Sequence, residues 1–99
     1  MRIAVDIDGI LTLEKEGHDY AQRTPNLENI SLINKLYEQG NIIILWTARF
    51  RRDRRITKHW LSQHAVSYHK LIMRKLQYDV LIDDKATLSL NYISYLENE

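Results

Sequence analysis

Arg-Ile-Ala-Val-Asp-Ile-Asp-Gly-Ile, residues 2–10, is the stretch that decides the fold. Its apolar residues show no helical period and predict a short β-strand. The strand delivers two carboxylates, Asp6 and Asp8, and Gly9 then lets the backbone turn sharply away. In an open α/β sheet, ligands bind beyond the carboxyl ends of the strands. Two carboxylates this close repel one another unless a cation or proton lies between them, so the stretch is a first indication of a metal site.

The composition predicts one globular domain, residues 1–99, with 44% hydrophobic and 27% charged residues. The formal net charge of +1 gives no overall attraction to nucleic acid or membranes. The absence of cysteine excludes a disulfide scaffold, thiol catalysis and a thiolate metal site. No stretch approaches the ~20 apolar residues of a membrane span, and the chain starts directly in a strand without a signal leader. We therefore expect a cytoplasmic protein.

Strands and helices are predicted to alternate after the first strand. Thr24 is the expected N-cap of the first helix, Pro25 its first residue, and Gly40 the residue that ends it. The predicted elements are a helix over 25–39, a strand over 41–46 buried on both faces, a helix over 53–64 with Ile56, Trp60 and Leu61 on its inner face, a weaker strand within 66–73, a strand over 78–82 and a terminal helix over 86–97.

This alternation predicts an α/β fold with a mostly parallel sheet, as a single-domain, Rossmann-like sandwich of three layers. Three of the predicted strands end in polar residues: Asp6 and Asp8, then Thr47, then the pair Asp83-Asp84. Because parallel strands place their carboxyl ends on one edge of the sheet, these groups can converge.

The side chains at that edge could bind and hydrolyse a phosphoryl group. Mg²⁺ prefers hard oxygen ligands, which Asp6, Asp83 and the main-chain carbonyl of Asp8 can supply. One carboxylate can act as a nucleophile and form an aspartyl-phosphate, while a second protonates the leaving oxygen and then activates water. The Thr47 hydroxyl and the Lys75 ammonium are candidates to hold the phosphate oxygens.

In this order the motifs resemble the haloacid dehalogenase superfamily of phosphatases. The similarity covers residues 3 to about 87 and rests on Asp6-x-Asp8-Gly9, Thr47 after an apolar strand, Lys75, and Ile82-Asp83-Asp84. The chain is similar to the small members without a cap domain, including those encoded near capsule and lipopolysaccharide genes. The segment Lys75-Leu-Gln-Tyr-Asp-Val-Leu-Ile-Asp-Asp-Lys-Ala closely resembles the corresponding segment in these members.

The resemblance implies a Mg²⁺-dependent phosphomonoester hydrolase that acts through an aspartyl-phosphate on a small phosphorylated sugar or nucleotide. Asp6 would be the nucleophile, Asp8 the general acid and base, and Lys75 the bridge between Asp6 and the phosphate. The expected substrate-binding residues are Gly9, Thr47, Ala48 and Arg49, and the expected metal ligands are Asp6, Asp8, Asp83 and Asp84.

Two departures from the family pattern bear on activity. Ile10 stands where the family usually has Thr, and Arg74-Lys75-Leu76 replaces a frequent Gly-Lys-Pro, which leaves Lys70 as a rival for the role of Lys75. These departures and the small size motivate an alternative, a catalytically weak binding or regulatory module. Thr47 could also serve simply as the cap of the helix that follows it.

Five arginines lie within residues 49–55, directly after Thr47. They could hold an anionic substrate, including a polynucleotide end, or form a solvated helix start. The near-neutral total charge argues against strong non-specific binding of nucleic acid. His18, Asp19 and Tyr20 could line the site entrance or belong to a mobile loop. Without a cap domain the site should be open, and either a homo-oligomer or a large substrate would shield it.

Overall fold

Three parallel strands form the sheet in the computed structural model, which describes residues 1–17 and 19–84. The strands are β1 (Arg2–Val5), β2 (Ile42–Trp46) and β3 (Lys70–Ile72), in the order β1-β2-β3. In register, Val5 pairs with Leu45 and Leu45 pairs with Leu71. All three strands therefore present their carboxyl ends at one edge, and the predicted parallel α/β fold is confirmed.

Two helices connect the strands. Helix α1 (Leu27–Glu38) joins β1 to β2, and helix α2 (Arg54–Gln63) joins β2 to β3. Short 3₁₀ turns precede the helices at Tyr20–Gln22 and Arg51–Asp53. Each helix is thus the crossover of a βαβ unit.

The hydrophobic core lies against one face of the sheet. Along β2 the side chains alternate, so that Ile43 and Leu45 are fully buried whereas Ile42 and Trp46 keep 44% and 40% of their surface exposed. The core is completed from β1, its following turn, α1, α2 and β3, by Val5, Ile7, Leu11, Ile30, Trp60, Leu61, Val66 and Leu71. Among the described residues, β2 is therefore buried on one face, not on both as the sequence predicts.

The first helix begins two residues later than predicted. Its N-cap is Asn26, whose side chain accepts a hydrogen bond from the Asn29 N–H at 3.1 Å. Thr24 instead donates its N–H and its hydroxyl to the Glu14 carboxylate at 2.9 and 2.8 Å. The prediction for the helix end is confirmed, since Gly40 has a φ of 94° and follows the last turn.

Helix α2 matches its predicted range, with one error in its inner face. Trp60 and Leu61 are buried as predicted, but Ile56 is 44% exposed and Thr57 is buried in its place. Thr57 satisfies its hydroxyl within the helix by donating to the Asp53 carbonyl oxygen at 2.7 Å. A hydroxyl with a local acceptor can be buried at a position where polarity alone predicts exposure.

The predicted strand over 78–82 is wrong, because residues 76–83 contain no regular secondary structure. Leu76 and Ile82 keep 77% and 67% of their surface exposed. An apolar run forms a strand only where a neighbouring strand and a covering layer are present, and the described residues do not bury this run. The predicted terminal helix, 86–97, lies outside the described residues, so the third layer stays a prediction.

Within residues 1–17 and 19–84, no helix combines the length and apolar character that crossing a bilayer requires.

Candidate active site

The carboxyl ends of β1, β2 and β3 bring separate parts of the chain together. Beyond β3, the backbone keeps bonding to the end of β2: the Arg74 N–H donates to the Arg49 carbonyl at 2.8 Å, and the Lys75 N–H donates to the Thr47 carbonyl at 2.7 Å. Arg74 has a φ of 63°, which turns the chain here. The turn directs Lys75 toward the end of β1.

Asp6 and Lys75 meet at this edge. The Lys75 Nζ lies 4.0 Å from the Asp6 Oδ2, and the ammonium also lies 5.0 Å from the centre of the Trp46 ring. Asp6 Oδ1 accepts the Ile7 N–H at 2.8 Å, which fixes the carboxylate. With 43% of its side chain exposed, Asp6 is accessible to a ligand.

Lys70, the rival lysine, is elsewhere. It begins β3 and lines a separate cleft against α2. Geometry therefore favours Lys75 as the lysine that accompanies Asp6.

Asp8 is held by two buried arginines. Arg49 forms a bidentate pair with it, Nε to Oδ2 at 3.0 Å and Nη2 to Oδ1 at 2.7 Å. Arg23 adds a third contact, Nε to Oδ1 at 3.2 Å. The Tyr20 ring covers Arg49, with its centre 3.9 Å from the guanidinium carbon. Three of the roughly four acceptor positions of the carboxylate are thus occupied, and the open one is on Oδ2.

Arg23 is the residue that sequence reasoning missed. It follows the 3₁₀ turn in the loop between β1 and α1 and fastens that loop, because Nη1 and Nη2 donate to the Glu16 and Gly17 carbonyls at 2.6 and 2.8 Å. Its own carbonyl accepts the Trp60 indole N–H at 3.0 Å. These partners are distant in sequence or lie on the main chain, so no local pattern indicates them.

Gly9 shapes the start of that loop. Its φ is 86°, and its N–H donates to the Thr12 hydroxyl and to the Glu14 carbonyl, both at 3.1 Å. A Cβ at this position would lie 2.8 Å from the Lys15 side chain. Gly9 therefore provides the sharp turn that the sequence predicts.

Two cavities adjoin at Asp6, Ala48 and Gln77. The first, of about 520 Å³, also includes Lys75 and the segment 76–79. The second, of about 320 Å³, is lined further by Asp8, Lys15, Glu16, Gly17, Tyr20, Arg23, Arg49 and Phe50. The structure thus brings Asp6, Asp8, Ala48, Arg49 and Lys75 around two adjoining cavities. Of the expected entrance residues, Tyr20 lines it, and His18 lies outside the described residues.

Four of the other predicted site residues do not line these cavities: Gly9, Thr47, Asp83 and Asp84. Thr47 is buried beneath them, with its hydroxyl accepting the Arg49 N–H at 3.2 Å. Asp83 and Asp84 are exposed and do not border either cavity.

In the part of the chain that the structure describes, no three carboxylate or imidazole side chains come together as a ready metal site. The available donors are hard oxygens, of the kind that Mg²⁺ takes, and Mg²⁺ commonly uses only one or two carboxylates with water and phosphate oxygens. The donor set at Asp6 and the Asp8 main chain is therefore compatible with Mg²⁺ in chemistry.

The fold is shared with solved structures. A structural-genomics target from Vibrio cholerae superposes with a TM-score of 0.71 at 27% identity, covering 98% of this chain and 96% of the other. A chain of the Pnkp1/Rnl/Hen1 complex gives a TM-score of 0.65 at 23% identity, and one of the Pnkp1/Rnl/Hen1 RNA repair complex gives 0.65 at 21%.

Each of the latter two alignments covers 96% of this chain but only 32% and 30% of the longer chains. No family model matches the sequence, and no curated protein matches it. At these identities the solved structures establish the α/β fold.

Proposed function

We propose that the chain belongs to the haloacid dehalogenase superfamily and hydrolyses phosphomonoesters through an aspartyl-phosphate. One observation carries the proposal: an accessible carboxylate, Asp6, lies 4.0 Å from the Lys75 ammonium on the floor of an open cavity. Attack by a carboxylate on phosphorus needs a cation to neutralise the phosphoryl oxygens, and Lys75 supplies one.

In the first step an Asp6 oxygen forms a bond to phosphorus while the bond from phosphorus to the leaving oxygen breaks. Asp8 gives its proton to that oxygen. In the second step a water oxygen bonds to phosphorus, the Asp6–phosphorus bond breaks, and Asp8 takes the proton of the water. Arg23 and Arg49 orient Asp8 for both transfers, and the open position on Oδ2 is where its proton would reside.

The phosphoryl oxygens would be bound by Lys75 and by main-chain groups at Ala48. The buried Thr47 hydroxyl accepts the Arg49 N–H and so supports the segment that carries Ala48 and Arg49. Mg²⁺ would be held by Asp6 and the Asp8 main-chain carbonyl, with water and phosphate oxygens completing its coordination, because Asp83 and Asp84 do not border the cavities at Asp6. When bound, it would neutralise charge on the phosphoryl group.

The test is phosphate release from p-nitrophenyl phosphate in the presence of Mg²⁺. We expect Asp6→Asn to lower kcat at least about a thousandfold, because no nucleophile remains. Lys75→Met should lower it by about 10²–10³ through loss of charge stabilisation. The matched controls are Glu38→Gln, an exposed carboxylate on α1, and Lys70→Met. Equal losses in Lys70→Met and Lys75→Met would contradict the assignment of the lysine.

A catalytically weak binding module is the second candidate, and the three arginine contacts to Asp8 favour it. A carboxylate so occupied has little freedom to exchange protons with a substrate. Calorimetric titration with inorganic phosphate and Mg²⁺ separates the two functions. Binding without turnover, unchanged in Asp6→Asn, would support the module, whereas turnover that disappears in Asp6→Asn would support the hydrolase.

A further inference from the structure

The charges of this chain are strongly segregated. Residues 49–75 contain nine lysines and arginines and one acidic residue, whereas the other residues contain five basic and twelve acidic ones. The formal net charge of +1 therefore conceals a basic segment that begins at the candidate active site. Such a field attracts polyanions locally even when the whole molecule is almost neutral.

Four of these cations form a stripe along α2 and the turn before it. Arg51, Arg54, Arg55 and Lys58 recur at i, i+3, i+4 and i+7, the spacing of one helix face, and all four are exposed. The buried residues of α2, which are Thr57, Trp60 and Leu61, lie on an adjoining face of the helix. We call these four residues the basic stripe.

The basic stripe is not neutralised by the described part of the protein. None of its four residues forms an ion pair with an acidic residue there. Arg52, outside the stripe, lies 3.9 Å from Asp53, and the buried Arg23 and Arg49 are both paired with Asp8. Like charges at i and i+4 destabilise a helix by ~0.2–0.5 kcal/mol per pair, so the stripe lowers stability unless an anion binds.

A cleft extends the basic stripe onto β3. It has a volume of about 400 Å³, and Arg54 and Lys58 line one wall while His69 and Lys70 line the other. Tyr68 also borders the cleft. Cations on two walls, together with an aromatic ring, suit a phosphate-bearing chain better than an isolated small anion.

Aromatic side chains connect the basic stripe to the candidate active site. Phe50 directly precedes Arg51, lines the cavity that contains Asp8, and keeps 51% of its surface exposed. Tyr78, 46% exposed, borders the other cavity 5.7 Å from the Lys75 Nζ. Exposed rings beside cations are stacking platforms for nucleobases, each base contributing about 1–3 kcal/mol.

We propose that the substrate class is a single-stranded polynucleotide with a terminal phosphomonoester; this rests on the proposed function. The terminal phosphate lies at Asp6 and Lys75, a base stacks on Phe50, and the following phosphodiesters run along the basic stripe. From Arg51 to Lys58 the helical rise is about 12 Å, because the 3₁₀ turn rises about 2 Å per residue and α2 about 1.5 Å. At about 3.4 Å per stacked nucleotide, that length holds roughly three to four nucleotides.

Binding is tested with a fluorescent, terminally phosphorylated oligonucleotide of about ten nucleotides, on Asp6→Asn protein to prevent turnover. Four phosphate contacts on a single strand predict a slope of log Kd against log salt of about 2.8, an affinity loss of about 50-fold between 50 and 200 mM salt. The double variant Arg55→Gln/Lys58→Gln should lower the slope by about 1.4. The matched control, Arg2→Gln/Lys35→Gln, removes the same charges from exposed positions at the opposite edge and should leave the slope unchanged.

Hydrolysis separates failure of this inference from failure of the proposed function. We expect kcat/KM for the oligonucleotide to exceed that for a mononucleotide at least tenfold, and the ratio to fall in Arg55→Gln/Lys58→Gln. If p-nitrophenyl phosphate is hydrolysed but the ratio is near one, or a sugar phosphate is preferred, the substrate assignment is overturned and the hydrolase stands. If wild type hydrolyses none of p-nitrophenyl phosphate, the mononucleotide and the oligonucleotide, both proposals are overturned. Tighter binding to phosphatidylserine vesicles than to the oligonucleotide would also overturn the assignment.

Discussion

Replacing Arg49 by methionine removes the bidentate contact to Asp8 while keeping an unbranched side chain in place of the arginine stem. The Arg49 side chain is 1% exposed, donates to both Asp8 oxygens, and donates from Nη1 to the Thr57 hydroxyl at 2.9 Å. Breaking a buried ion pair costs about 3–5 kcal/mol, mainly because a charge stays buried without a partner. In Arg49→Met, Arg23 still contacts Asp8, whose side chain is 17% exposed. We therefore expect the free energy of unfolding to fall by somewhat less, about 2–4 kcal/mol.

The assay is urea unfolding at constant pH, followed by tryptophan fluorescence. Arg52→Met is the control: its side chain is 78% exposed and lies 3.9 Å from Asp53, so its loss should stay below about 0.5 kcal/mol. In a double-mutant cycle, Asp8→Asn combined with Arg49→Met should cost less than the sum of the single losses by about 1–3 kcal/mol. A loss in Arg49→Met no greater than that in Arg52→Met, or strictly additive losses in the cycle, would refute the reasoning.

Three further predictions concern backbone geometry and pH. Gly9→Ala and Gly40→Ala both place a side chain at positive φ, which costs about 1–2 kcal/mol of stability. Urea unfolding should show the larger loss of unfolding free energy for Gly9→Ala, because its new Cβ also clashes with the Lys15 side chain. Arg74→Gly relieves the left-handed strain of an exposed residue, so we expect a gain of up to about 1 kcal/mol after the greater unfolded-state entropy of Gly is subtracted. Hydrogen bonds from the N–H and hydroxyl of Thr24 lower the pKa of Glu14. The ionised Glu14 therefore contributes to the free energy of unfolding, fully above the ordinary Glu pKa of about 4.3 and less as pH falls through the lower folded-state pKa. In acid unfolding, the stability advantage of wild type over Glu14→Gln should shrink accordingly.

Each of the three has a clear contrary result. Equal losses in the two glycine variants would show that the side chain near Gly9 moves aside freely. Destabilisation by Arg74→Gly of more than about 1 kcal/mol would mean that the arginine side chain makes a contribution larger than its backbone strain. A pH-independent difference between wild type and Glu14→Gln would contradict the role of the Thr24 hydrogen bonds.

Local patterns predicted the elements whose structure depends on near neighbours. The apolar run into Asp6, the helix ended by Gly40, and the β-branched run before Thr47 all appear where periodicity and end signals put them. The approach of Lys75 to Asp6 could also be predicted, because the carboxyl ends of parallel strands meet at one edge of the sheet and the family resemblance indicated this lysine.

Contacts between residues that are far apart in the sequence could not be predicted from local patterns. Arg23 contacts Asp8, fifteen positions earlier, and binds main-chain carbonyls. Such contacts leave no periodic pattern in the sequence. Thr57 can be buried because its hydroxyl finds an acceptor in the Asp53 carbonyl, whereas Ile56, the next residue back, is exposed. The run over 78–82 has strand composition, but strand formation depends on partners that composition does not specify.

Phosphate release is the measurement that tests the central claim most directly. Wild type and Asp6→Asn are compared with p-nitrophenyl phosphate and Mg²⁺, after urea unfolding has shown both to be folded. We expect turnover by wild type and a loss of at least about a thousandfold in Asp6→Asn. Equal rates for the two proteins, or no release by wild type over a range of phosphomonoesters, would contradict Asp6 as the nucleophile of a phosphohydrolase.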